Sequence, residues 1–525
     1  MRNGLPGSLG HAALLGALIL CSFAQAKASA CVSSAWGGLT HGEYAVGFQT
    51  VNKYDFSRTY ETKLRDEGGL RAGQRARPIQ IWIWYPGKTG GNDQCMSYED
   101  YIYLSAAEAG SGVPSPKERD LNKTAFIANP VFRNVPAQRM SDLFKMRTDV
   151  IKNASPREGH FPLIVFGQGY QFESPLAHSV LCEYLTSHGY VVAAVPYRGY
   201  PLPQSFHDLA ELENEVRDLE FVISYMHDFP TVDHDRLGVA GFDYGGMAAL
   251  LLAMRNTDVD AVVGMDSGIM FRQNTALLKQ SPSYKPGNLR VPLMQITRTK
   301  AENEDDEDLS LFETAKYSAT YLVRVKSMEH ENFTSYGMLL STVLSAEESS
   351  QKTTKLKYEF LCRYILNFLD AYVQRNKKTL AYIEKEPESK PSARGFLTVE
   401  RKRAVKAPPT EREFVQIIAD KGVVRAAQLY SELKRSDPEY ILFKETTLRL
   451  LGHKLTQEHR IKDAVDIFKL DIEAYPQSWK AYDSLGEAYI AGGEKELAMK
   501  NYRRSLDLNP QNTNAVDMLK KLTAQ

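Results

Sequence analysis

The central part of the chain alternates short, almost continuously apolar stretches with longer amphipathic ones. Apolar runs of this kind are typical of parallel strands that are buried on both faces. They lie at Phe161–Phe166, Tyr190–Val195, Leu237–Phe242, Ala261–Met265, Val291–Ile296 and Tyr321–Val325. Between two of them, apolar residues from Leu209 to Met226 recur every three or four positions, which predicts a helix with one apolar face. The pattern therefore predicts an α/β fold with helices on both faces of a mostly parallel sheet.

The segment before this core has a weaker pattern. Isoleucines alternate with other residues in Ile79–Tyr85, which predicts a half-buried strand that Pro86 ends. A second strand is predicted at Glu43–Phe48. From 96 to 159 no period is visible, and we expect an irregular insertion there, either a lid near the functional site or a surface excursion.

The C-terminal part of the chain contains an internal repeat. Residues 375–410 are charged and contain prolines, and we expect a linker there. Beyond it, similar residues recur 34 positions apart, namely Gly452 and Gly486, Ala464 and Ala498, Phe468 and Tyr502, and Pro476 and Pro510. The period and the residue types resemble tetratricopeptide repeats, which implies an all-α domain over 411–525. Stacked helix pairs form concave surfaces, so the resemblance also implies that the repeats could bind a protein partner.

One turn in the central part has the residues of a nucleophile-bearing bend. The strand Leu237–Phe242 leads through Asp243 directly into Tyr244–Gly246 and an apolar helical run. In the G-x-S-x-G motif a strand, a tight turn and a helix place the nucleophile on a strained bend. Gly241 and Gly245 provide the space that so tight a turn requires, because neither has a Cβ. Asp243 occupies the place of the serine.

Two further residues with catalytic chemistry follow later strands. Asp266 comes directly after Ala261–Met265, and His330 follows Tyr321–Val325. Because the carboxyl ends of parallel strands meet at one rim of a sheet, Asp243, Asp266 and His330 form a candidate nucleophile, acid and base. The alternatives are a turn or helix-cap role for Asp266 and an exposed loop position for His330.

Residues from about 43 to 370 resemble the α/β-hydrolase family that includes platelet-activating factor acetylhydrolases and dienelactone-hydrolase-like esterases. The matching segments are Val165–Tyr170, His188–Val195, Asp233–Gly241, Gly264–Asp266 and His330–Phe333. The resemblance implies an α/β-hydrolase domain over 31–374 in which Asp266 is the acid and His330 the base. It also implies a small-molecule ester or lipid-like substrate and no metal or organic cofactor.

The same resemblance assigns an oxyanion hole. Backbone N–H groups near Gln168 and Gly169 and at Tyr244 would stabilise the charge that develops on a carbonyl oxygen. Members of the family normally have a histidine where this chain has Gln168.

The aspartate at the bend leaves two functional hypotheses open. A carboxylate that attacks an ester carbonyl would form a mixed anhydride, which is a poor route, whereas attack on an sp³ carbon gives an alkyl ester of Asp243 that His330 and Asp266 can help water to cleave. The other hypothesis is a catalytically inactive binding or scaffold protein. An aspartate tolerates the positive φ of such a bend better than most residues, so its presence costs little conformational free energy.

The charge balance excludes some classes of partner. Basic and acidic residues both number 64, so we expect no nucleic-acid binding. The stretch 302–308 is strongly acidic and is expected to be a solvated loop, with a calcium site or an alternative catalytic acid as the other interpretations.

Residues 1–30 have the features of a secretory signal peptide. Arg2 precedes an apolar segment from Ala12 to Ala24, and small residues suited to cleavage follow at Ala24–Ala26 and Ala28–Ala30. No other stretch contains ~18 consecutive apolar residues, so no transmembrane segment is expected.

We therefore expect an exported protein, periplasmic or extracellular. In an oxidising compartment a disulfide between Cys31 and Cys95 is the expected pairing, since Cys182 and Cys362 lie in apolar helical patterns that favour buried thiols. A lipid-attachment site at 28–31 is the weaker alternative.

Overall fold

The computed structural model describes residues 31, 33–66, 69–90, 93–104, 115–169, 174–196, 208–299, 307–344, 349–385, 395–436 and 442–524. The expected signal peptide (1–30) and residues 302–306 of the acidic stretch lie outside these ranges. The chain divides into two compact units, Met1–Val405 and Lys406–Gln525.

Within the described ranges, the first unit is built on one eleven-stranded sheet. The strands are β1 (Ala45–Asp66), β2 (Gly69–Gly87), β3 (Cys95–Ser97), β4 (Arg147–Lys152), β5 (Phe161–Gly167), β6 (Val191–Ala194), β7 (Val232–Phe242), β8 (Val259–Met265), β9 (Leu293–Arg298), β10 (Thr320–Val325) and β11 (Leu397–Lys402). Their order across the sheet is β11-β10-β9-β8-β7-β5-β6-β2-β1-β4-β3.

Strand direction within this sheet identifies the fold. From β6 through β5, β7, β8 and β9 to β10, every neighbouring pair is parallel. β2 runs antiparallel to both β6 and β1. β3 and β11, at the two edges of the sheet, also run antiparallel to their neighbours. This order, with the antiparallel β2 between β1 and the parallel strands, is the α/β-hydrolase arrangement, and the predicted fold class is confirmed.

Helices cover the sheet on both faces. They are α1 (Tyr98–Leu104), α2 (Pro116–Ile127), α3 (Ala137–Lys145), α4 (Ser179–Ser187), α5 (Leu209–Met226), α6 (Tyr244–Arg255), α7 (Arg272–Leu278), α8 (Ser310–Thr314), α9 (Tyr336–Val343), α10 (Ser349–Tyr372) and α11 (Lys377–Glu384). Alternate residues of a strand point to opposite faces. Ile164 and Phe166 of β5 accordingly pack with residues of α4, α9 and α10, while Leu163 and Val165 pack with residues of α5 and α6.

The segment 96–159 is not irregular, and that expectation was wrong. It contains α1, α2, α3 and β4, and β4 extends the sheet as a parallel neighbour of β1. Phe126 and Phe132 from this segment contact the ring of Tyr336, the first residue of α9. Short elements separated by turns are too brief to produce a visible period, which explains why the sequence pattern did not reveal them.

The expected linker at 375–410 also contains regular structure. α11 lies in it, and β11 pairs antiparallel with β10 at the edge of the sheet. The side chains of β11 are mostly charged or polar because an edge strand has exposed positions, and this composition is what indicated a linker.

The second unit is helical throughout its described part. Its helices are α12 (Glu411–Ser436), which is interrupted at Gly422, then α13 (Glu445–Gln457), α14 (Ile461–Ala474), α15 (Trp479–Ala491), α16 (Lys495–Leu508) and α17 (Thr513–Thr523). Gly452 of α13 faces the ring of Phe468, and the equivalent Gly486 of α15 faces Tyr502. The 34-residue spacing of the sequence therefore corresponds to recurring helix pairs with the same small-against-aromatic contact.

Two findings concern export and membranes. Cys31 and Cys95 form the predicted disulfide, with their Cα atoms 5.5 Å apart, and Cys182 and Cys362 are buried free thiols. In the part of the chain that the structure describes, no helix is long and apolar enough to cross a membrane.

The disulfide closes a loop across 64 residues of sequence. We predict that the double variant Cys31→Ser/Cys95→Ser lowers the free energy of unfolding of the first unit by about 4 kcal/mol, because the cross-link limits the entropy of the unfolded chain. Urea denaturation of the variant and of reduced wild type should give the same lowered midpoint. An unchanged midpoint in both would contradict this account.

Candidate active site

The bend between β7 and α6 has the backbone of a nucleophile elbow. Asp243 has φ 48° and ψ −119°, a conformation that few residues other than glycine adopt. Its backbone N–H donates to Met265 O at 3.0 Å, and its carbonyl accepts from the Gly246 N–H at 3.1 Å. Asp243 is thus held at the rim of the sheet between β8 and the first turn of α6.

Two glycines make the elbow possible. A Cβ on Gly241 would lie 2.5 Å from Gly246 N, and a Cβ on Gly245 would lie 2.6 Å from Gln168 N. Gly167, at the end of β5, also has its backbone against Gly245. These contacts are backbone to backbone, so no side-chain movement could relieve them.

The predicted acid and base are in contact. His330 Nδ1 lies 2.6 Å from Asp266 Oδ2, and Asp266 is only 2% exposed. The other carboxylate oxygen accepts from Thr297 Oγ1 at 3.2 Å and from the Arg298 backbone N–H at 3.3 Å. A carboxylate at Nδ1 favours the tautomer with its proton on that nitrogen, which makes Nε2 the basic nitrogen of the ring.

The three predicted residues lie on neighbouring parts of one rim. Asp243 follows β7, Asp266 follows β8, and His330 follows β10. The ring of Phe242, the residue before Asp243, stacks on the ring of His330 with centroids 4.5 Å apart. The imidazole is therefore fixed at one nitrogen by Asp266 and on one face by the elbow strand.

The predicted oxyanion residues lie at the same rim. Gln168 and Gly169 follow β5, and Tyr244 is the first residue of α6, where the helix dipole favours negative charge. The backbone N–H of Gln168, however, donates to the carboxyl group of Glu215. This donor is engaged within the protein, and the oxyanion roles of Gln168, Gly169 and Tyr244 all stay predictions.

Sequence reasoning missed the buried carboxyl group of Glu215. It lies on α5, and burial together with the charges of Asp218 and Asp243 raises its pKa well above the usual range, although the Gln168 amide opposes this. Asp218 is itself paired with Arg58 at 2.7 Å and with Arg77 at 2.5 Å. Glu215 and Asp218 lie on the same face of α5 as buried apolar residues. Their position on the apolar face of a predicted helix is the sequence signal that could have identified them.

No metal site accompanies this arrangement in the described ranges, where no group of three or more His, Cys, Asp or Glu side chains could hold an ion. Of the acidic stretch, Glu307 pairs with Arg324 at 3.0 Å and Asp308 with Lys279 at 3.1 Å. Both described carboxylates of that stretch are thus engaged in ion pairs away from His330.

Comparisons with known proteins found a matching family and a similar solved structure. Residues 178–292 match the model of the prolyl oligopeptidase family, and this stretch contains Asp243 and Asp266. Among solved structures, a ferulic acid esterase from Streptomyces cinnamoneus is similar with a TM-score of 0.46 and 19% sequence identity, over 68% of this chain and 96% of that chain. No curated protein matches the chain.

The glycine contacts at the elbow can be tested by substitution. We predict that Gly245→Ala lowers the free energy of unfolding by at least about 3 kcal/mol, because its Cβ would overlap backbone atoms of β5. The matched control is Gly287→Ala, where a Cβ meets nothing within 4 Å, and it should change stability by less than about 0.5 kcal/mol. Similar denaturation midpoints for the two variants would refute this explanation of the elbow.

The raised pKa of Glu215 predicts a pH dependence of stability. The folded protein keeps the proton over a pH range in which the unfolded chain has lost it, so this residue makes the free energy of unfolding fall as pH rises through that range. Glu215→Gln removes the effect while retaining an oxygen that accepts from Gln168. Denaturation from about pH 5 to about pH 8 should show the variant gaining stability relative to wild type; a constant difference would contradict the prediction.

Proposed function

We propose that the protein is an exported hydrolase of small-molecule esters or lactones, including lipid-like ones, and that Asp243 is its nucleophile. The observation that carries this proposal is the contact between His330 and Asp266 beside an intact elbow. A protein that had lost its activity would have no reason to retain a base, its acid partner and a strained elbow together. Their joint presence therefore favours catalysis. Export is supported by the disulfide, which is typical of oxidising compartments.

The charge of Asp243 determines which bond it attacks. One carboxylate oxygen attacks the sp³ carbon on the alcohol side of the substrate ester, forms an alkyl ester of Asp243, and displaces the substrate carboxylate with the electron pair of the broken C–O bond. This route needs no oxyanion stabilisation in its first step, because no tetrahedral carbon forms. The hydrogen bond from the Gln168 backbone N–H to Glu215 is consistent with this route, because the first step does not need that N–H to stabilise an oxyanion.

The second step returns the enzyme to its starting state. His330 Nε2 removes a proton from water, and the resulting hydroxide attacks Cγ of the Asp243 ester. The alcohol leaves with the proton that His330 carries, and Asp243 is left as a carboxylic acid with one oxygen from water. It regains its carboxylate by releasing the second proton of that water to solvent. Asp266 stabilises the imidazolium that forms between these two events.

A binding or scaffold protein is the second candidate function. The observation that favours it is the helical second unit, whose recurring helix pairs resemble tetratricopeptide repeats. A groove of about 480 Å³ lies between α12 and α14, with Val424 and Leu470 beside Lys469 and Glu473. In that case the hydrolase domain would bind a ligand without turning it over, and the repeats would bind a protein partner.

The test is hydrolysis of a panel of esters and lactones with activated and unactivated alkyl groups. We predict that wild type turns over at least one member and that Asp243→Asn loses roughly 10³-fold or more in kcat, because an amide is a far weaker nucleophile. The control is Asp308→Asn, which changes a carboxylate that pairs with Lys279 instead of the catalytic histidine.

The variant Asp243→Ser separates the two hypotheses further. Activity in this variant alone would mean that the site residues can support serine-type ester hydrolysis and that the natural protein no longer catalyses that reaction. No activity in wild type or in either variant would favour the binding protein and reject the hydrolase proposal.

A further inference from the structure

The side chain of Gln168 is fully buried at the rim of the sheet but has no hydrogen-bond partner among the residues that the structure describes. Its residue is 0% exposed, and within the described ranges neither Oε1 nor Nε2 has a hydrogen-bond partner. A buried amide without partners costs free energy, so native structures almost always satisfy such groups with protein or with ordered water.

A second buried polar side chain, His178, is in the same situation. It is 0% exposed, and neither ring nitrogen has a hydrogen-bond partner in the part of the chain that the structure describes. Its ring lies between those of Phe166 and Phe242, with centroid distances of 4.8 Å and 5.1 Å. Burial lowers the pKa of His178 to about 3, so the ring is neutral and has one donor and one acceptor.

The two side chains face the same side of the sheet as the catalytic histidine. Phe166 packs on the α4 side, and Gln168 follows it by two positions, one residue beyond the end of β5. From the alternation of the strand we infer that Gln168 is directed to that side as well. Phe242, which contacts His178, also stacks on His330. The Ser335 backbone N–H donates to Ala177 O at 2.6 Å, which ties the segment after His330 to the turn that contains His178.

We propose that Gln168 and His178 bind a water molecule inside the protein beside His330, and that this water cleaves the alkyl ester of Asp243. Water offers two donors and two acceptors, and the amide and the neutral imidazole offer both kinds of partner. Two or more polar partners in a buried position are what an ordered internal water requires. The reaction of this water rests on the proposed function, whereas the existence of its binding site does not.

The role of each residue in the step is distinct. His330 Nε2 removes one proton from the bound water, and the water oxygen forms a bond to Cγ of Asp243. The bond from Cγ to the alkoxy oxygen then breaks, the alcohol leaves with that proton, and the second proton of the water is released to solvent from the Asp243 carboxyl group. Gln168 and His178 are positioning residues, because they orient the water and do not exchange protons with the substrate.

The experiment uses apolar side chains of similar shape, Gln168→Met and His178→Phe, in the full-length protein. The control is His188→Phe at the opposite end of α4, where the ring nitrogen contacts Tyr184 O at 2.8 Å. We expect kcat and KM to fall together by at least about 10-fold in both test variants, because the second step becomes limiting. Intact-protein mass spectrometry should show the alkyl adduct accumulating in them and not in wild type or the control.

A high-resolution crystal structure of wild type tests the binding site without any turnover. We expect one ordered water within hydrogen-bond distance of both the Gln168 amide and a ring nitrogen of His178. If wild type is inactive on every substrate but this water is present, the proposed function fails and the water site stands. If the position is dry, or if both test variants keep wild-type kinetics without accumulating adduct, the inference is overturned.

Discussion

The candidate site depends on the close packing of three glycine backbones at the ends of β5 and β7. Gly241 and Gly245 let the chain turn from β7 into α6 within a single residue, and Gly167 lets β5 approach that turn. The one residue in the turn, Asp243, is consequently forced into a positive φ and lies half-buried at the rim. Strain of this kind persists only where the surrounding structure over-determines it, and here the constraint is backbone against backbone.

Electrostatics around the elbow follow from that packing. A carboxylate nucleophile brings negative charge to a rim that already contains Asp266. Burial and the charges of Asp218 and Asp243 raise the pKa of Glu215 well above its usual range, and this resistance to ionisation limits the repulsion. Asp218, the next acidic group on α5, is neutralised by Arg58 and Arg77. The arrangement therefore favours a single reactive carboxylate at the elbow with a separate acid–base pair beside it.

The sequence alone was sufficient for the sheet, the elbow, and the pairing of Asp266 with His330, because apolar strands have a strong local pattern and their carboxyl ends must converge. It was not sufficient for Glu215 or for His178, since burial of a lone polar residue depends on which helix covers it. Edge strand β11 was also missed, because its exposed charges resemble those of a linker. The short elements of 96–159 were missed as well, because they are too brief to produce a visible period.

The most direct test of an aspartate nucleophile follows the oxygen of the hydrolytic water. A single turnover in H₂¹⁸O, followed by proteolysis and mass spectrometry of the peptide that contains Asp243, reports where that oxygen goes. If the carboxylate attacks an sp³ carbon and water then attacks Cγ, one ¹⁸O atom must appear in the Asp243 side chain. Label found only in the released product, with none in Asp243, would contradict the account.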